Sequence, residues 1–277
     1  MNVDLDNVAA AIREVAATEI MPRWRNLAAG DISEKTGPQD LVTVADQAAE
    51  KALSAKLLSL HPNTVVVGEE SVEADAGIMD LFQQDKPIWV IDPIDGTMGF
   101  SQGEPEFDVM LALVQNGECL AGWIYAPVDD ELIMASKTTG AVRITKGGAP
   151  QKLTAPKITS IKQLSGILGN KLLSKKHRNF VKSQEIHFTK ITSSVCAGHD
   201  YAAILRGEAQ FAIFGKCMPW DHLPGLAMLS TLGYVYCKHD GSPYIAGDTT
   251  GGLIIAPNND MLNEIRAIAM STNNSSF

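Results

Sequence analysis

Apolar residues at Leu5, Val8, Ala9, Ile12, Val15, Ala16 and Ile20 follow the three-to-four-residue spacing of an amphipathic helix, so residues 5 to 29 predict a first helical segment. Residues 41 to 60 repeat that period and close at "HPN", which predicts a second helix. The pattern then shortens. "TVVVGEE" and "PIWVID" are brief β-branched runs that end in acids, and residues 107 to 144 alternate apolar stretches with turn pairs such as Asn116-Gly117 and Asp129-Asp130. A meandering, mostly antiparallel sheet is expected there. After "KGGAPQKL" strands and helices alternate: a strand at "SGILGN", a helix near 172 to 183, a strand at "EIHFT", a helix near 199 to 206 and a strand at "QFAIF". A helix from Asp221, the runs "YVYC" and "GGLIIAP", and a helix from Asp260 complete the series, while the glycine-rich "DGSPYIAGD" reads as a hairpin. The change of pattern near residue 150 predicts two lobes, an α+β lobe over 1–150 and an α/β lobe over 151–277.

Composition narrows the function classes. The chain has 277 residues, 45% of them hydrophobic, with mean hydropathy +0.01, enough to bury a large core. With 23 Lys+Arg against 32 Asp+Glu, the net charge is -9. That balance argues against a nucleic-acid polymer as partner, because affinity for phosphate backbones is largely cationic. No run of 18 apolar residues appears, and "MNVDLDNVAA" lacks the basic region and apolar core of a secretory signal, so a cytoplasmic location away from membranes is expected. Cys119, Cys196, Cys217 and Cys237 are scattered without a C-x-x-C pair, which suggests buried free thiols rather than disulfides or a zinc site. No nucleotide-binding loop of the G-x-G-x-x-G or Walker type is present.

The stretch "WVIDPIDGTMGF" carries the chemistry. "PIWV" predicts a strand, the proline holds Asp92 extended, and Gly96-Thr97 open a turn or helix, so Asp92 and Asp95 are expected to converge beyond the strand end. An Asx-type turn would use the same residues. Two converging carboxylates repel, and the arrangement suits a shared proton or a metal. The metal is the better reading because more acids are at hand. Glu69 and Glu70 also close a strand, and Asp221 starts a helix. Oxygen ligands without clustered His or Cys favour Mg²⁺ or Mn²⁺ over Zn²⁺. Glu69 and Thr97 are of types that accept or relay a proton, and Gly96, without a side chain, leaves backbone N–H groups accessible at a helix start.

Taken in order, "DLVTVAD" (40 to 46), "GEE" (68 to 70), "WVIDPIDGT" (89 to 97) and "WDHLPG" (220 to 225) resemble the inositol monophosphatase family of metal-dependent, lithium-sensitive phosphatases. The resemblance implies a layered α-β-α-β-α sandwich, hydrolysis of a small phosphate monoester with two or three Mg²⁺ ions, and a homodimer. Carried over residue by residue, it makes Glu69, Asp92 and the Ile94 carbonyl ligands of one ion and Asp92, Asp95 and Asp221 ligands of a second. It also places Glu70 and Asp46 behind the ligands, Asp46 receiving the Thr97 hydroxyl, and puts Lys35 on a mobile loop near the site.

Departures from the family pattern bear on substrate. Gly99 stands where relatives carry Asn, and His222, Leu223 and Pro224 stand where they carry small residues. Cys196, Ala197 and Gly198 replace small inositol-facing residues, and Phe214 falls where a glutamate would bind inositol hydroxyls. His199, Asp200 and Lys216 are candidate replacements for that glutamate. The expected activity is hydrolysis of a small phosphorylated metabolite, with inositol monophosphate as reference. Similar proteins hydrolyse 3'(2'),5'-bisphosphate nucleotides, fructose 1,6-bisphosphate and histidinol phosphate, and a non-catalytic binding protein on the same fold is the rival reading.

Overall fold

The structure, a computed structural model, describes residues 3–37, 40–169 and 174–270. Helix α1 (Leu5–Val15) starts where Asp4 Oδ1 accepts from the Asp6 and Asn7 amides at 3.0 and 3.1 Å. It continues as a wider turn to Ile20, then ends short of the expected 29. The chain reverses at Arg25, which takes a positive φ of 62° and donates to the Gly103 carbonyl at 2.9 Å. Strands β1 (Ile32–Gly37) and β2 (Asp40–Thr43) form a small antiparallel hairpin. Lys35 therefore lies on a strand with its side chain only 4% exposed, not on the expected loop. Helix α2 (Val44–Leu60) is closed by a capping box in which Thr43 and Asp46 bond reciprocally.

The next elements are β3 (Val65–Gly68), α3 (Glu69–Ala74), β4 (Ile88–Asp95), α4 (Thr97–Ser101), β5 (Asp108–Gln115), β6 (Glu118–Ala126), β7 (Glu131–Ser136), β8 (Gly140–Ile144) and β9 (Gln151–Lys152). Among the described residues these strands form a seven-stranded sheet in sequence order. Its first pair is parallel and the rest antiparallel, as the meander of short runs and turn pairs predicts. Then come β10 (Ser165–Leu168), α5 (Lys175–Ser183), β11 (Lys190–Ser193), α6 (Ala197–Leu205), β12 (Phe211–Phe214), α7 (Pro219–Thr231), β13 (Val235–Lys238), β14 (Leu253–Ala256) and α8 (Asn259–Met270). They build a five-stranded sheet, ordered β11-β10-β12-β14-β13, in which the first three strands are parallel and β14 runs antiparallel to both its neighbours, β12 and β13. The segment 240 to 248 is the turn region of the long connection between the paired β13 and β14. The expected helix start at 172 lies outside the described residues.

The strand expected at "EIHFT" is a correction. Residues Glu185–His187 make a tight helical turn, Ile186 is 85% exposed, and the strand begins only at Lys190. Phe188 decides the register: its ring packs 4.7 Å from that of Phe211, and the Glu185 carboxylate accepts the Ile191 amide at 2.8 Å, which draws the following residues alongside β10.

Three buried clusters define the layers. One lies between α1 with α2 and one face of the seven-stranded sheet, through Leu53, Trp89, Ile91, Leu111 and Trp123. The opposite face, carrying Val90, Met110 and Ile124, packs on α6 and α7, which also cover Ala212, Phe214 and Ile255 of the second sheet. Beyond that sheet, Ile213 and Ile254 meet Met261 and Ile265 of α8. The order is α-β-α-β-α. Every residue of β4 is buried, because its sheet is covered on both faces at this point.

Candidate active site

The pairing of β4 with β5 explains how two aspartates three residues apart serve one place. Asp92 pairs with Met110 and Asp95 with Asp108, so β4 spends one residue more than its partner between them. In a regular strand an odd separation sends side chains to opposite faces; a bulge of one residue restores them to the same side. Gly96 then turns the chain with φ 96°, a conformation glycine adopts without strain, and α4 begins at Thr97.

Acids gather around this corner. Asp92 is 2% exposed; burial, followed by the charges of Glu69, Asp95, Asp221 and Asp46, holds its carboxyl well above the usual carboxylate range. Asp46, in the first turn of α2, is pushed up to about 6 by burial despite accepting from the Thr43 amide at 2.8 Å and hydroxyl at 2.5 Å. Thr97 Oγ1 lies 3.1 Å from Asp46 Oδ1 and 2.9 Å from the Ile94 carbonyl, so its one proton serves either acceptor. Lys35 Nζ donates to Glu69 Oε1 at 2.9 Å and Glu70 Oε1 at 2.7 Å. Burial lowers the Lys35 ammonium's pKa, but Glu69 and Glu70 together reverse that and raise it, so the lysine stays charged. Glu70 is raised to about 8, first by burial and then by Glu69.

The second half of the chain supplies the other wall. A cavity of about 150 Å³ is lined by Asp95, Cys196, Ala197, Phe214, Lys216 and Asp221, among others. Asp221 reaches it from the first turn of α7, which starts with Pro219. Asp95 Oδ2 accepts the Gly198 amide at 2.5 Å, which ties α6 to the acid corner. Phe214 presents a ring stacked on Tyr201 with centroids 5.7 Å apart.

Of the candidates to replace a hydroxyl-binding glutamate, Lys216 lines the cavity. His199 turns instead to Asp108, and Asp200 accepts from the Ser194 hydroxyl and the Val195 amide. His222 is fully engaged: Nε2 faces the Lys216 carbonyl at 2.8 Å and so must donate, leaving Nδ1 to accept from the Tyr201 hydroxyl at 3.0 Å. Burial lowers its pKa to about 4, and it stays neutral. Three residues escaped the sequence reading. Thr43 holds Asp46; Glu50, 3% exposed, accepts the Glu70 and Ser71 amides at 2.8 Å each; and Asp108 receives His199.

The donor set fits a hard divalent cation. Four carboxylates crowd a fifth that is buried, their atoms are all oxygen, and a lysine ammonium already bridges two acids of the group. A layered α-β-α-β-α sandwich with such an acid corner, between a strand end and a helix start, defines the class of metal-dependent small-molecule phosphatases. The chain belongs to the inositol monophosphatase family, whose model matches residues 1–273, and it is a phosphoric monoester hydrolase of that kind. It is 27% identical over 222 residues to a fructose-1,6-bisphosphatase/inositol-1-monophosphatase of Thermotoga maritima, covering 80% of each chain. It is 28% identical over 245 residues to an inositol-1-monophosphatase of Bacillus subtilis, covering 87% of this chain and 88% of the relative. The fold matches that of SaIMPase-II bound to inositol monophosphate, with TM-score 0.76, 21% identity and coverage of 96% and 93%; another structure of SaIMPase-II holds 2'AMP. Among the described residues no helix is long and apolar enough to cross a membrane.

Proposed function

We propose that the protein hydrolyses a small phosphate monoester with Mg²⁺ or Mn²⁺, which Glu69, Asp92, the Ile94 carbonyl, Asp95 and Asp221 would hold. The observation that carries this reading is the burial of Asp92 among Glu69, Asp95, Asp221 and Asp46, a cluster that cations relieve. When bound, the cation supplies positive charge to the phosphate dianion and polarises the phosphoryl oxygens. The chain's own residues move the proton. The Thr97 hydroxyl accepts a hydrogen bond from the attacking water and passes a proton to Asp46, the buried carboxylate it already contacts at 3.1 Å. The water oxygen bonds to phosphorus as the ester P–O bond breaks, and the alcohol leaves with a proton from solvent. Gly96 keeps side-chain bulk away from the phosphate position.

For the alcohol, we propose that Phe214 makes the cavity wall apolar, so that a flat group such as an adenine or imidazole is preferred over a polyol. Bound inositol monophosphate and 2'AMP in solved relatives bracket that choice. Candidate substrates are 3'-phosphoadenosine 5'-phosphate, histidinol phosphate, fructose 1,6-bisphosphate and inositol 1-phosphate; the family resemblance suggests a homodimer, and the sequence reading a cytoplasmic setting. The test is phosphate release over this panel in EDTA, then with Mg²⁺ or Mn²⁺ restored, then with lithium at millimolar concentration. Activity that vanishes in chelator, returns with the metal and falls in lithium supports the reading; full turnover in EDTA overturns it.

A further inference from the structure

Asp108 opens β5 opposite Asp95 and is 1% exposed, while Cys196 precedes α6 and His199 lies in its first turn. Cys196 Sγ lies 3.6 Å from Asp108 Oδ2 and 3.6 Å from His199 Nδ1, and His199 Nδ1 makes a close contact with the same Asp108 oxygen. A thiol, an imidazole and a carboxylate thus bring one ligand atom each within 4.8 Å of one another, and the hydrolytic reading uses none of the three for chemistry.

The same residue types could form a nucleophile, base and orienting acid. Such a relay needs the imidazole to work through two ring nitrogens, one toward the nucleophile and one toward the acid. Here thiol and carboxylate both approach Nδ1, so no relay exists. What remains is three ligand atoms around one point. In a tetrahedral zinc shell, bonds of about 2.3 Å to sulfur and 2.0 to 2.1 Å to nitrogen or oxygen give S–N and S–O edges of about 3.6 Å. Both sulfur distances match. Only the imidazole–carboxylate pair must separate, toward roughly 3.3 Å, once the proton between them leaves.

The geometry points to a site for a thiophilic divalent cation of the zinc class, formed by Asp108 Oδ2, Cys196 Sγ and His199 Nδ1 and separate from the oxygen-only acid corner. Mixed sulfur and nitrogen ligands select against Mg²⁺, so the two sites sort cations by softness. Uptake releases the Cys196 thiol proton, and the proton shared by His199 and Asp108 where it is present, to solvent. Of the three, Cys196 also lines the cavity. Through the Gly198 amide on Asp95, the site adjoins the wall that faces substrate.

The test uses the full chain with millimolar Mg²⁺ present to fill the oxygen sites, and Co²⁺ as probe. One equivalent should produce a thiolate-to-cobalt charge-transfer band with the visible absorption of tetrahedral cobalt, and one equivalent of Zn²⁺ should bleach both. His199→Asn and Asp108→Asn, checked for folding by circular dichroism, should weaken Zn²⁺ binding at least about 100-fold. No charge-transfer band in the wild type, or undiminished Zn²⁺ affinity in folded His199→Asn, overturns the proposal. These readouts are binding spectra, so they stand or fall independently of phosphate release.

Discussion

Gly68→Ala probes the support of the acid corner without touching any acid in it. A Cβ built at Gly68 lies 2.3 Å from Glu50 Cδ, 2.4 Å from Oε2 and 2.6 Å from Oε1. The backbone at Gly68 has φ -109°, so alanine suffers no strain of its own; the cost falls on Glu50. That carboxylate accepts the Glu70 and Ser71 amides at 2.8 Å each and the Ser71 hydroxyl besides, and it closes the start of α3 immediately beside Glu69. Hydrogen bonds to a charged group contribute about 1.5 to 3 kcal/mol each, and a displaced carboxylate recovers part of that from water. A net loss of about 2 to 4 kcal/mol is expected. Urea unfolding in EDTA should show it as a lower midpoint at unchanged slope, and Mg²⁺ half-saturation should rise because Glu69 loses its footing. The double-mutant cycle supplies the sharper result. In Glu50→Ala the clashing group is gone, so adding Gly68→Ala should cost no more than about 0.5 kcal/mol. A single Gly68→Ala variant within about 0.5 kcal/mol of wild type, or full additivity with Glu50→Ala, refutes the reasoning.

Asp92→Asn should lower kcat at least about 100-fold, yet raise stability in EDTA, because it removes a buried carboxylate that four others repel; loss of both, or retained turnover, contradicts the assignment. Thr97→Ala should keep Mg²⁺ affinity and lose turnover, since its hydroxyl contacts Asp46 and the Ile94 carbonyl; an equal loss of Mg²⁺ binding would move Thr97 among the ligands. Phe214→Glu should raise kcat/KM for inositol 1-phosphate relative to 3'-phosphoadenosine 5'-phosphate, and no relative gain removes Phe214 from the alcohol pocket. In EDTA, stability should fall as pH rises from about 6 toward 8: Glu70, about 8 when folded against 4.5 in the unfolded chain, and Asp200, about 7 against 3.8, bind more protons folded than unfolded across that window. His222, lowered to about 4, acts oppositely and costs stability as pH falls below 6.5. Two carboxylates outweigh one imidazole, so chemical denaturation from pH 5 to 8 should show stability falling with rising pH throughout, less steeply at the acid end, and a flat or rising net slope would falsify the carboxylate part.

Much of the fold was legible because its periods are strong. The three-to-four spacing before Ile20, the uninterrupted run of β4 and the alternating units after residue 150 each reflect which faces are covered. "EIHFT" misled for the same reason in reverse. It has the residue types of a strand, but the one ring that matters, Phe188, anchors a turn against Phe211, and that contact is made across 23 residues of sequence.

The acids show where a linear reading runs out. Asp92 and Asp95 declare themselves by type and spacing, yet a regular strand would have parted them. They share a side because β5 pairs Met110 with one and Asp108 with the other, a register no local window contains. Glu50 left a signal that could have been taken: it falls on the stripe of α2 that buries Asp46, Ala49, Leu53 and Leu57, and an acid on an apolar stripe requires a partner. Its partners are the amides of Glu70 and Ser71, so the acid that looks surplus in α2 is the one that sets the start of α3. Asp108 offered less, since an acid at the first position of a strand is ordinary. Its meaning arises only when α6 sets Cys196 and His199 against it, 88 and 91 residues later. Ligand chemistry is thus carried by residue type, which sequence displays, whereas convergence is carried by register and layer order, which it does not; the acid corner was readable because one strand holds two of its acids, and the cluster of Asp108, Cys196 and His199 was not because it is split between β5 and the start of α6.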